Sequence, residues 1–288
     1  MGEFLSFMRI SQAYHRYIRE YLEIKGVDFN QITHYKAAAR LWCEIVGDIE
    51  LSEITLEDVR KFSIGLKTYG RHRGTNTVAY YIKELRVVLR YWRLRGEDVL
   101  DSDIIPIPKR EPNTPTFLSK DEVELMIKSS DLIRTKFVIS LLYASGIRVS
   151  ELVSLNRDDM LADSFTIIGK GKKRRICFLD ARTKKYMELY LSGRRDRSEA
   201  LITTSEGNRA SKSTIQLVVR NAAERAGIKK KVSPHTLRHS FATNYIGNDG
   251  NIRHLAVMMG HNSIQTTAQY THLVDNDLMR EYRKFHSV

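Results

Sequence analysis

The sequence predicts a mainly α-helical chain with a small β-sheet, divided into two domains. Three observations predict it. Apolar residues recur at helical spacing on both sides of a central break. One pair of short β-branched and aromatic runs, joined by glycines, departs from that spacing. Four of the five prolines crowd into IIPIPKREPNTPT at 104–116. Proline removes a backbone donor and biases its neighbour toward extended structure, so 105–116 reads as a semi-rigid linker. The expected domains are then 1–104 and 117–288, the second ending in a short tail helix at about 275–288.

In the first domain, periodicity predicts helices over 3–25, 33–46, 55–68 and 75–95. The third opens on Thr55–Leu56–Glu57–Asp58, a cap with early acids. The fourth follows the turn Gly70–Arg71–His72–Arg73–Gly74 and carries Val78, Ile82, Leu85, Leu89 and Trp92 in steps of four and three. One residue after each of the last four stand Lys83, Arg86, Arg90 and Arg93, about 100° around the same helix. With Arg71, His72 and Arg73 this basic stripe suits a phosphate backbone; singly, each charge suits a solvated face.

Beyond the linker, Leu118–Ser119–Lys120–Asp121–Glu122 opens a capped helix, and Lys136–Ser145 continues as a strongly apolar one ended by Gly146. Arg148 therefore follows a turn, with Glu151 three residues on; alone, the two would make a plain salt bridge. Ser164–Ile168 and Arg175–Leu179 are the strands of a hairpin whose tip holds Gly169–Lys170–Gly171–Lys172. Ser211–Ala226 is amphipathic and ends at Gly227. Ser233 and Pro234 then start a helix that sets His235 and Arg238 on one face of its first turn, where free backbone N–H groups favour an anion. His239 falls on a different face and suits packing. A helix over 251–259 closes at Gly260, His261 follows at once, and Tyr270 comes nine residues later.

The formal charge is +13, from 47 Lys and Arg against 34 Asp and Glu, which favours a polyanionic partner, nucleic acid before membrane. Residues 1–100 hold 16 basic and 13 acidic side chains and the remainder 31 and 21, so most of the excess lies on the second domain. Cys43 and Cys177 lack metal-ligand spacing and read as reduced core residues of a cytoplasmic protein. Phe4–Met8 is too short for a signal peptide, and no run nears ~20 apolar residues, so no membrane span is expected. No zinc-like, Gly-rich nucleotide-binding or paired-carboxylate pattern is present.

SGIRVSEL at 145–152, GKGKKRR at 169–175, SPHTLRHSFAT at 233–243 and MMGHNSIQTTAQYTH at 258–272 resemble the active-site boxes of the tyrosine recombinase (phage integrase-like) family. The likeness is greatest to its Xer branch, with the archaeal XerA type as one candidate. It is specific from about 116 onward and extends over the whole chain in layout. The resemblance implies a helical, SAM-like core-binding domain followed by an α+β catalytic domain. It puts the family's catalytic positions on Arg148, Lys170, His235, Arg238, His261 and the nucleophile Tyr270, with Glu151 as the acidic companion of Arg148. Lys172 and Lys173 stand beside Lys170, which is chosen because the family's lysine sits between two glycines; both neighbours then read as DNA contacts. The implied chemistry is attack by the phenol on a DNA phosphodiester. Two guanidiniums and imidazole steady the phosphoryl oxygens, His235 accepts a proton or orients the phosphate, and Lys170 protonates the leaving 5′ oxygen.

No metal or other cofactor is implied, because the phosphotyrosyl bond retains the phosphodiester's energy. The implied partner is double-stranded DNA at a specific site, bound by four subunits, with the tail (Leu278, Tyr282, Phe285) docking into a neighbour or back onto its own domain. A Xer-like role in resolving chromosome dimers at a dif-type site is expected, by this chain alone or with a second recombinase, and a DNA translocase is a further candidate partner. Mobile-element integrases and type IB topoisomerases share parts of the pattern. The absence of an arm-binding segment before residue 1 speaks against a lambda-type integrase.

Overall fold

The computed structural model describes residues 8–70, 72–109, 111, 115–160, 164–168 and 174–260. The chain divides into two compact units, 1–113 and 114–288, and the break falls inside the proline-rich stretch.

The first unit is helical. Helix α1 (Ile10–Tyr17) runs into a π-helical turn at Ile18–Leu22, followed by α2 (Phe29–Ile45), α3 (Leu56–Thr68) and α4 (Thr75–Arg93). The first helix starts later than its periodicity predicts, because Arg9 is extended and bridges to Glu50. Its end is widened by the Glu23 N–H, which donates to the Ile18 carbonyl at 2.9 Å. The second starts earlier, where the Asp28 carboxylate accepts from the Asn30 N–H at 2.8 Å. The third has the cap expected of it: Thr55 and Asp58 each accept from the other's backbone N–H, at 3.3 and 3.0 Å.

Helix α4 supplies the spine of this unit. Val78, Ile82, Leu85, Leu89 and Trp92 are all buried, packed with Trp42, Phe62 and Tyr14. The Trp92 indole N–H donates to the Ala13 carbonyl at 3.2 Å, fastening α4 to α1. The basic stripe divides in two. Arg86 pairs with Asp103 at 2.9 Å and Arg93 with Asp101 at 2.5 Å. Ile105, one residue into the expected linker, is buried in the same core. Thr75 and Asn76 hydrogen-bond Glu111. Lys83 and Arg90 stay exposed.

The second unit contains α5 (Lys120–Lys128), α6 (Ile133–Ser145), α7 (Val149–Ser154), β1 (Ser164–Ile168), β2 (Arg174–Phe178), α8 (Ala181–Ser192), α9 (Lys212–Arg225), α10 (Pro234–Gly247) and α11 (Ile252–Met259). Helix α6 is apolar around its circumference because α5, α8, α9 and α10 all pack on it. Its C-terminal turn is closed by Gly146 at φ 59°, and a Cβ there would also lie 2.4 Å from the Phe241 ring. Strands β1 and β2 are antiparallel, with Phe165 opposite Cys177 and Ile167 opposite Arg175. Those four residues face inward, while Ile168, Ile176 and Phe178 face out. Cys177 is buried and Cys43 half-buried, and both are free thiols. Among the described residues no helix is long and apolar enough to cross a membrane.

Candidate active site

The αL turn at Gly146 delivers Ile147 into the core and Arg148 to the N-cap of α7. There Glu151, in the first turn of that helix, folds back. Its Oε2 accepts from the Arg148 backbone N–H at 2.7 Å and its Oε1 from the Arg148 guanidinium at 3.0 Å. Glu151 is buried, whereas the Arg148 side chain keeps 42% of its surface open. The expected pair is thus formed, with one end inside and one end available.

Residue Arg175 completes this arrangement and was not anticipated. It lies on the inner face of β2, 7% exposed, and grips Glu151 with both arms of its fork at 2.9 and 2.5 Å. Burial works to raise the Glu151 carboxyl, but the Arg175 hydrogen bonds and the Arg148 N–H outweigh it and hold the group below the ordinary range. The sequence signal was Cys177, a residue type that favours interiors, two positions away on the same strand face.

Helix α10 supplies the second box. Ser233 caps it, accepting from the Thr236 N–H at 3.2 Å, and Pro234 fills the first turn. His235 is accessible at the surface, while Arg238, one turn on, is only 3% exposed. The Arg238 guanidinium donates to the Gly146 carbonyl at 2.5 Å and to the Met259 carbonyl at 2.7 Å. Both carbonyls sit at helix C-termini closed by left-handed glycines, Gly146 at φ 59° and Gly260 at φ 62°. One buried cation thus ties the chain two residues before Arg148 to the chain two residues before His261.

The His235 ring packs edge-on against His239, with centroids 4.3 Å apart. Partial burial of the ring, then the nearby charges of Arg238 and Arg148, lowers the His235 pKa below the ordinary histidine value. Burial, His235 and Arg238 lower that of His239 to about 4. Both shifts favour the neutral ring, and a neutral imidazole within the field of Arg238 and Arg148 can take up a proton.

Arg148, Glu151, His235 and Arg238 are brought together. Lys170, His261 and Tyr270, and with them Lys172, Lys173 and Arg71, lie outside the described residues. In the first unit Lys83 and Arg90 are exposed, Arg86 is occupied by Asp103, and the Arg73 guanidinium donates to the Tyr69 carbonyl at 3.3 Å. Among the described residues no three His, Cys, Asp or Glu side chains gather as a metal site.

The phage integrase family pattern matches residues 116–277, more than half of the chain, so the chain belongs to that family and is a DNA-cleaving and rejoining enzyme, a tyrosine recombinase. Its place is in the Xer branch. The tyrosine recombinase XerD of Oceanobacillus iheyensis is 32% identical over 282 residues, 91% of this chain and 94% of that one. XerC of Staphylococcus aureus is 29% identical over 250 residues, covering 83% of each. Among solved structures, XerA recombinase matches 96% of this chain and 98% of its own at 28% identity, with a TM-score of 0.55. A lambda integrase dimer bound to a COC′ core site shares the fold at 16% identity and a TM-score of 0.78, over 92% of this chain and 77% of that one.

Proposed function

We propose that this chain is a site-specific, Xer-like recombinase that cuts and rejoins DNA through a 3′-phosphotyrosyl intermediate on Tyr270. The Tyr270 oxygen attacks the scissile phosphorus as the P–O5′ bond breaks. The phenolic proton passes to His235 and Lys170 protonates the departing 5′ oxygen, so the number of phosphate ester bonds is unchanged. Arg148, Arg238 and His261 neutralise the charge that builds on the non-bridging oxygens. Glu151 aims Arg148.

The observation that carries this reading is the double hold of Arg238 on the Gly146 and Met259 carbonyls, which gathers three sequence boxes around one point. The lowered pKa of His235, caused by burial and then by the charges of Arg238 and Arg148, supports its role as proton acceptor. The +13 charge, and the COC′ core site bound in the lambda integrase structure that shares the fold, support duplex DNA as the substrate. We assign DNA-backbone contacts to Arg71, Arg73, Lys83, Arg90, Lys172 and Lys173, with Arg86 joining them only if it releases Asp103. On DNA the active assembly is four subunits linked by the tail at 275–288, and the biological role is resolution of chromosome dimers at a dif-type site.

A nicked suicide substrate tests the chemistry. The wild-type chain should form a covalent adduct that maps to Tyr270, and Tyr270→Phe should bind the same DNA and form none. An adduct from Tyr270→Phe would refute the assignment. Sequencing the DNA ends captured on Tyr270 in cells tests the biological role. Capture at one chromosomal site supports dimer resolution, and capture at the ends of mobile elements refutes it.

A further inference from the structure

We propose that Arg175 is a positioning residue whose charge neutralises Glu151, so that the charge of Arg148 stays available to the phosphate. The proposal rests on the phosphotyrosyl reading above.

The Glu151 carboxylate is saturated. Each of its oxygens accepts twice, Oε1 from the Arg148 and Arg175 guanidiniums at 3.0 and 2.9 Å, and Oε2 from the Arg148 N–H and Arg175 at 2.7 and 2.5 Å. Four donors fill the lone-pair sites of a carboxylate. The division of labour is unequal. Arg175 gives both arms and is buried with the acid, and Arg148 gives one arm and points outward, its side chain 42% open.

Charge balance explains why two arginines are needed. If Glu151 had only Arg148, the buried carboxylate would draw that guanidinium inward and cancel its charge. With Arg175 in place the acid is already matched, and Arg148 is merely aimed by it. Arg175 also sits at the root of the hairpin that leads to Lys170, opposite Ile167. It also lies against Gly260 at the end of α11, where an added Cβ would come within 3.0 Å of its Nη1. One side chain thus adjoins three of the boxes.

A mutant cycle on the full chain separates positioning from plain support. Single-turnover cleavage of the suicide substrate at saturating protein is measured beside DNA affinity for Arg175→Met, Arg175→Lys, Arg148→Lys and the double variants. Arg175→Met should lower the cleavage rate about 100-fold, the cost of a misplaced group, with affinity nearly unchanged. Arg175→Lys should recover part of the loss. In the Arg148→Lys background Arg175→Met should cost little more, because both changes remove the same thing. Should Arg175→Met not fold, the cycle is read with Arg175→Lys. Losses that multiply, or a folded Arg175→Met that cleaves at the wild-type rate, would overturn the proposal. Absence of a Tyr270 adduct from the wild-type chain would instead overturn the underlying reading.

Discussion

The two units bury charge in opposite ways. Among the described residues of the second, the deeply buried ionic groups are matched: Glu151 by Arg175, Arg194 by Asp196, and Arg238 by two backbone carbonyls. In the first, Glu84 on α4 is 4% exposed, and among the described residues no donor reaches hydrogen-bonding geometry with either carboxylate oxygen. Burial pushes its carboxyl up to about 7, with only Tyr80 pulling the other way. Tyr14, Tyr17, Tyr35 and Tyr80 all lie within its field. Matched charges fix positions, and an unmatched one gives a pH dependence. The unit that holds the proposed catalytic boxes has the first kind, the unit with the exposed Lys83 and Arg90 the second.

The largest effect should come from breaking the matched pair. Glu151→Gln leaves Arg175 buried without a counter-charge and should destabilise the second unit by about 3–5 kcal/mol, read from hydrogen exchange in α7 and β2. An unchanged exchange pattern would show that the pair adds nothing.

Next comes the unmatched carboxyl. The unfolded chain releases the Glu84 proton in the ordinary carboxyl range, while the folded unit keeps it to about 7. The first unit should therefore be most stable in mild acid and lose on the order of 3 kcal/mol as the pH rises through 7. Glu84→Met should abolish that loss, as seen in α4 exchange at pH 5 and pH 8. The second unit should show the reverse slope. His235 and His239 have lowered pKa values, so the stability tied to their neutral forms is complete above the ordinary histidine value and declines as the pH falls toward about 4. Cleavage should likewise stay flat through neutrality and fail only in acid.

The smallest effect on stability should be Gly260→Ala. A left-handed alanine costs about 1 kcal/mol, but its Cβ would meet Arg175, so cleavage should fall much further than the melting temperature. Equal losses in both would mean that this contact does not reach the site.

Helices and caps were legible where pattern and chemistry agreed. The α4 stripe, the Thr55, Ser119 and Ser233 caps and the Gly146 and Gly260 stops all stand where residue type demands them. The strand face was not legible. Hydropathy would turn Ile176 and Phe178 inward and Arg175 outward, yet Ile176 and Phe178 are 57% and 59% exposed and Arg175 is buried. A long-range partner decided it. Glu151 lies 24 residues earlier, and no local window couples the two. The first helix was overextended for a similar reason, since Arg9 is drawn into a bridge with Glu50 across the fold. The divided basic stripe also depended on acids, Asp101 and Asp103, that sit beyond the end of the helix they bind.

The central claim is that Arg148, freed by Arg175, meets the charge of the phosphate. Replacing one non-bridging oxygen of the scissile phosphate by methyl removes that charge without removing the leaving group. Arg148→Ala should be nearly inert on the ordinary phosphate and regain cleavage on the methylphosphonate; if it is as inert on the second substrate as on the first, Arg148 serves some purpose other than charge and the account is wrong.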